Sequence, residues 1–126
     1  MKTVLLLMAA GGLGSGLRYA FSVYLNRPGF PWGTLTVNVA GALLIGLVGA
    51  FVLEARVISR ETALIVTTGF LGGLTTFSSF ALEGGQMFQR RELTLMGLYT
   101  LGSLALGLLA VWAGHRIGSW YLTTGG

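Results

Sequence analysis

The sequence contains no cysteine. Disulfide frameworks, thiolate metal sites and cysteine nucleophiles are therefore excluded. Charge is also scarce, with 10% of the 126 residues being Asp, Glu, Lys or Arg, against about 25% in a typical soluble domain. A chain so poor in charge cannot keep its outside hydrated. One histidine and four acidic residues leave little for acid–base or metal chemistry. No paired nucleophile and base is present for an intramembrane enzyme. The formal net charge is +4, but the basic residues sit singly or in one pair between apolar runs. That is their usual place in membrane proteins, and it argues against a nucleic-acid partner.

Apolar surface is what the chain has in abundance. Hydrophobic residues make up 53% and the mean hydropathy is +0.76. Lipid must be the solvent for most of the surface. About 20 apolar residues cross a bilayer core, so the chain has room for about four helices. The first span is expected from about Thr3 to Leu25. Its start, MKTVLLLMAAGG, imitates a signal peptide, but the apolar run continues to Leu25 with only Arg18 as a charge. It is read as a span. Asn26, Arg27, Pro28, Gly29 and Pro31 form a turn, and Trp32 is an interface anchor. The second span is expected over 33–53, the third over 62–88 and the fourth over 93–113. Glu54, Arg56, Arg60 and Glu61 mark the second loop, and Gln89, Arg90, Arg91 and Glu92 the third. His115, Arg116, Trp120 and Tyr121 form the wet end of the fourth span. The fold class is all-α, in a single membrane domain.

The chain has 21 glycines. Gly12 and Gly16 are four apart, as are Gly114 and Gly118, and Gly41, Gly46 and Gly49 lie along the second span. Small residues let membrane helices approach closely. Orientation should follow the lysine and arginine bias of the loops. Arg27, Arg90 and Arg91 lie on one side, and Lys2, Arg56, Arg60 and Arg116 on the other. The sides nearly balance, so the chain is expected to insert both ways and to pair as an antiparallel dimer.

Several polar residues fall where they are costly. Arg18 lies roughly 10 Å into the first span, where a centrally placed arginine costs about 2.5–3.5 kcal/mol. Either its stem snorkels to the interface, or the guanidinium faces a wet vestibule that attracts anions. Asn38 sits at similar depth in the same half of the membrane. Its amide either clasps a neighbouring helix or donates to an anion. The third span carries GFLGGLTTFSSF, Gly69 to Phe80. Gly72 and Gly73 lie near the midplane and, with Thr75 and Thr76, are weak helix formers. A break is expected near 72–76. It either packs as a kinked helix or frees carbonyls that coordinate a cation. In an antiparallel dimer two such breaks could share one ion on the twofold axis.

Phe77 and Phe80 share a helix face. They sit among Thr75, Thr76, Ser78 and Ser79, whose hydroxyls are ill placed in lipid. Ring edges carry partial positive charge and can hold a small anion weakly, as conduction requires. Glu83 follows one turn later, either as a proton or substrate carboxylate or as an end-of-span charge. Tyr99 and Ser103, four apart, either line a track or clasp a helix.

GFLGGLTTFSSF, preceded by WGTLTVNVAG and GLGSGLRYAF, resembles the Fluc (CrcB) fluoride channel family across all four spans. The resemblance implies a dual-topology antiparallel homodimer with two fluoride pores, in the inner (plasma) membrane of a prokaryote. It implies that Arg18 and Asn38 form a vestibule pair and that Phe77 and Phe80 are the pore phenylalanines. Ser78, Tyr99 and Ser103 correspond to polar pore-lining positions, and Glu83 to the acidic residue after the phenylalanines. Gly72 and Thr75 correspond to a break whose carbonyls hold a structural sodium ion. Gly107, one turn beyond Ser103, departs from relatives that continue the polar track with a hydroxyl. Two other classes fit the residues less well. A small multidrug exporter needs a carboxylate in the first span, which here carries Arg18 and no acid. A non-transporting assembly protein accounts for the glycines but not for the grouped polar and aromatic residues. The balanced loops predict that tags placed at either terminus are found on both faces of the membrane. Labelling confined to one face would contradict this.

Overall fold

A computed structural model of the chain describes residues 1–53 and 57–125. Glu54 and Arg56, assigned above to the second loop, lie outside the described residues. Helix α1 spans Lys2–Leu25 and α2 spans Trp32–Leu53. The third span is compound: α3 (Arg60–Leu64), a π-helical stretch (Ile65–Leu71), α4 (Gly72–Leu74) and, after an interruption, α5 (Phe77–Gln89). Helix α6 covers Leu93–Thr124. Four helical segments are long and apolar enough to cross a membrane, and the chain is a multi-pass membrane protein. The fourth helix runs on to Thr124, past the expected end at 113, so His115, Arg116, Trp120 and Tyr121 ride on its last turns.

The turns follow from local chemistry. Between α1 and α2, Arg27 and Phe30 exchange two backbone hydrogen bonds across Pro28 and Gly29, and Gly29 has φ +97°. Proline presets the first central position, and glycine accepts the positive φ at the second. The Asn26 side chain then accepts from the Gly33 N–H at 2.7 Å, satisfying one free donor at the start of α2. Helix α5 ends in a Schellman motif. The Arg91 N–H donates to Phe88 and the Glu92 N–H to Met87, with Arg91 left-handed at φ 59° where glycine is usual.

Helix α2 packs along α6, and α1 packs on the π-helical stretch and α4. Both seams depend on glycine. A Cβ at Gly14 would collide with the Phe70 carbonyl, and one at Gly73 with the Gly11 carbonyl. In the other seam, Gly46 faces the Val111 carbonyl and Gly114 the Leu43 carbonyl at the same range. Without a hydrophobic drive between helices in lipid, this backbone approach supplies much of the packing energy. The central cluster is small: Val37, Leu71 and Leu74, with Val66 and Phe70 against it.

The glycine pair is not where the third span breaks. Gly72 keeps helical angles (φ −63°, ψ −36°), and its neighbour Gly73 packs against the Gly11 carbonyl of α1. The extended residues are Thr75 (ψ 156°) and Thr76 (φ −150°, ψ 119°). The π-helical stretch has no signal in the sequence. Within it, the Thr67 hydroxyl donates back to the Ala63 carbonyl at 2.8 Å, competing with the regular ladder.

The seams predict a contrast on one helix. Gly46→Ala should cost about 2 kcal/mol or more through overpacking and reduce monodisperse protein in detergent. Gly49 has no atom within 4 Å of an added Cβ, so Gly49→Ala should leave the melting midpoint unchanged or slightly raised.

Candidate functional site

Thr75 and Thr76 interrupt the span because Asn38 competes for the backbone. The Asn38 Oδ1 accepts from the Thr76 N–H at 2.7 Å, and its Nδ2 donates to the Thr76 carbonyl at 3.1 Å. One side-chain amide thus pairs with both backbone groups of one residue, as a neighbouring β-strand would. In a continuous helix the Thr76 N–H would bond the Gly72 carbonyl. With that donor taken by Asn38, the Gly72 carbonyl loses its helical partner. The Leu71 carbonyl, by contrast, accepts from both the Thr75 N–H and the Thr75 hydroxyl, each at 2.9 Å. Thr76 also starts the next helix: its hydroxyl accepts from the Ser79 N–H at 3.1 Å, an N-cap.

Beside the break lies a cavity of about 450 Å³. It brings together Asn38, Gly72, Thr75, Phe77, Phe80 and Ser103 from the sequence-derived set, with Thr76. The Phe77 and Phe80 rings stand 5.8 Å apart between centroids, tilted by 44°. Phe77 is 79% exposed in the single chain, so the cavity wall it forms faces outward. The Ser103 hydroxyl is buried and has no hydrogen-bond partner among the described residues. It points to a site where the protein has left a donor for something else.

Next to Phe80 is a second polar group. Glu83 accepts from the Thr34 hydroxyl at 2.7 Å and from the Tyr99 hydroxyl at 2.6 Å. Thr34 and Tyr99 are almost fully buried, at 2% and 1% exposure. The Tyr99 ring lies 5.3 Å from Phe80 and meets Phe30 edge-on at 5.5 Å. The two hydroxyl positions four apart on α6 therefore divide the roles left open above: Tyr99 clasps α5 through Glu83, while Ser103 faces the cavity. The buried threonines Thr34 and Thr76 bind Glu83 and Asn38 respectively.

Two expected residues stand apart. Arg18 does not line the cavity. One guanidinium nitrogen lies 3.4 Å from the Ser15 hydroxyl, which reaches the Gly73 carbonyl at the same distance. The Arg18 Nε is buried without a partner among the described residues. Ser78 is exposed, with its hydroxyl 3.2 Å from that of Thr76. Sequence reasoning missed Thr34, although its place one turn before Asn38 on the same face was a usable signal. It missed Ser15 and Phe30 too, and for Phe30, in the turn, no sequence signal exists.

A family model described as "CrcB-like protein, Camphor Resistance (CrcB)" matches residues 5–115. The chain belongs to the CrcB family. Similar curated CrcB relatives bear the name "Fluoride-specific ion channel FluC". The one from Agrobacterium fabrum is 43% identical, covering 94% of this chain and 97% of its own. That from Paracoccus denitrificans is 45% identical, covering 94% and 96%, and that from Geobacter sulfurreducens 44%, covering 90% and 94%. For this CrcB chain, the clamp predicts that Asn38→Ala orphans two backbone groups at mid-span. The cost should be about 2–4 kcal/mol, read as a lower melting midpoint in detergent. An unchanged midpoint would contradict the clamp.

Proposed function

We propose that the chain is a fluoride-selective passive channel that lets toxic cytoplasmic fluoride leave the cell. The observation that carries this reading is the convergence, in one cavity, of two phenylalanine rings, a clamped helix break and an unpaired buried hydroxyl. Similarity to proteins named fluoride-specific channels supports it. Fluoride is small and strongly hydrated, so a pore must replace its water with many weak donors. The Ser103 hydroxyl and the second Nδ2 hydrogen of Asn38 are such donors, and the exposed Ser78 hydroxyl would join them in the assembled pore. Ring edges of Phe77 and Phe80 add partial positive charge without a full cation. A site assembled this way binds enough to dehydrate the ion and weakly enough to release it. Hydrogen fluoride, a weak acid, crosses membranes neutral and ionises inside, so passive flow of the anion is directed outward without an energy source.

The working unit is an antiparallel homodimer with two pores. Near-balanced loop charge supports dual insertion, and the outward-facing Phe77 supports a wall completed by a second copy. Arg18, away from its own chain's cavity, would then serve the vestibule of the assembled pore. The Gly72 carbonyl, deprived of its helical donor, and the neighbouring Thr75 carbonyl suit a sodium ion, which binds carbonyl oxygens. Such an ion would bridge the two breaks at the dimer axis and fix their separation.

Purified chain in liposomes should release fluoride but not chloride, measured with ion-selective electrodes. Phe80→Ile and Asn38→Ser should each slow fluoride release at least about tenfold, or about 1.4 kcal/mol in the barrier. Equal chloride release would contradict the assignment.

A further inference from the structure

We infer that a second cavity, between the α1–α2 turn and the C-terminal half of α5, is the outer port of the anion path, where Arg27 and Arg90 draw fluoride toward Glu83. This rests on the channel reading above. The cavity has a volume of about 220 Å³ and is lined by Asn26, Arg27, Phe30, Glu83, Gln86 and Arg90. Neither arginine was expected from the sequence to meet the anion.

The two cavities are separated by one layer of side chains. Phe30 and Glu83 wall the outer one, and Phe80 walls the inner one. Tyr99 joins them. Its hydroxyl donates to Glu83 at 2.6 Å, and its ring lies 5.5 Å from Phe30 and 5.3 Å from Phe80. The outer space holds several water molecules at about 30 Å³ each, enough for an ion that has not yet lost its shell. The inner space offers the rings and hydroxyls that replace that shell.

A carboxylate on this layer repels an approaching anion, so the port must offset Glu83. Arg90 is partly engaged by Glu92, at 3.0 Å. Arg27 has no carboxylate partner among the described residues. The cavity lining carries Arg27 and Arg90 against the single carboxylate of Glu83, and Glu92, which pairs with Arg90, lies outside the lining. A cation without a carboxylate partner at a cavity mouth raises the local concentration of anions, and that gain fades with salt. The exposed Arg90–Glu92 pair contributes little to stability, so removing these charges leaves the fold intact.

The cysteine-free sequence makes the test direct. Gln86→Cys places a single thiol in the port. Methanethiosulfonate reagents form a mixed disulfide there and release methanesulfinate. Anionic sulfonatoethyl and cationic trimethylammonioethyl reagents are compared at about 0.01 M salt, where the Debye length is roughly 30 Å. Adding Arg27→Gln and Arg90→Gln should lower the anionic-to-cationic rate ratio about fivefold, and labelling should cut fluoride efflux at least fivefold. Independently of any thiol, Arg27→Gln with Arg90→Gln should slow efflux about threefold at low salt and leave it unchanged near 1 M. This second measurement decides alone if the cysteine variant does not assemble. Labelling without loss of efflux overturns the port, as does a rate ratio or low-salt efflux unmoved by the arginine substitutions. A parent chain that passes no fluoride overturns the channel reading and the port together. A parent that passes fluoride while the substitutions do nothing overturns the port alone.

Discussion

Two hydrogen bonds between the Asn38 amide and the Thr76 backbone, at 3.1 and 2.7 Å, hold the third span open. Most of the site depends on them. They turn Thr76 out of the helix, so its hydroxyl can cap α5. The cap fixes where α5 begins and therefore which residues of FSSF face the cavity. The same bonds remove the donor that would have satisfied the Gly72 carbonyl. Irregular backbone is tolerated at membrane depth only where protein or a wet cavity covers it. Here Asn38 supplies the cover from within the chain, and the cavity supplies the rest.

The clamp works because the helices beneath it cannot shift. Helix α2 carries Asn38 and is fixed against α6 by Gly46 and Gly114, each against a carbonyl of the other helix. The π-helical stretch and α4, which carry the chain to Thr75, are fixed against α1 by Gly14 and Gly73. Helix α5 is tied by Glu83 to Thr34 on α2 and Tyr99 on α6. Three helices thus meet on one carboxylate, one layer from the phenylalanines. That layer also positions the Tyr99 ring, which carries the aromatic contacts from Phe80 outward to Phe30 and on to Trp32 at 4.4 Å from Phe30.

The spans were legible because lipid leaves the chain little choice: uncharged apolar runs of sufficient length must become helices. A break in the third span, near 72–76, was legible from weak helix formers, but which of them leave the helix was not. Composition marked Gly72, Gly73, Thr75 and Thr76 alike, yet the glycines stay helical, Gly73 close against the Gly11 carbonyl, while the threonines yield to Asn38. That outcome depends on a partner 38 residues away, which local propensity does not register. Asn38 itself was legible as a costly amide at depth. Its two-sided bond to one residue was not, nor was the choice of Glu83 between Thr34 and Tyr99, since each is a tertiary contact. Arg18 was legible as a misplaced charge, but its place beside Ser15, outside the cavity, was not.

The central claim is that the Asn38-clamped break is a working surface completed by a second copy. A high-resolution map of the protein in lipid nanodiscs with sodium and fluoride tests it most directly. The account predicts antiparallel chains whose Gly72 carbonyls face each other across a twofold axis, with Asn38 still paired to Thr76. A continuous third helix with Asn38 released, or intact breaks turned toward acyl chains, would contradict it.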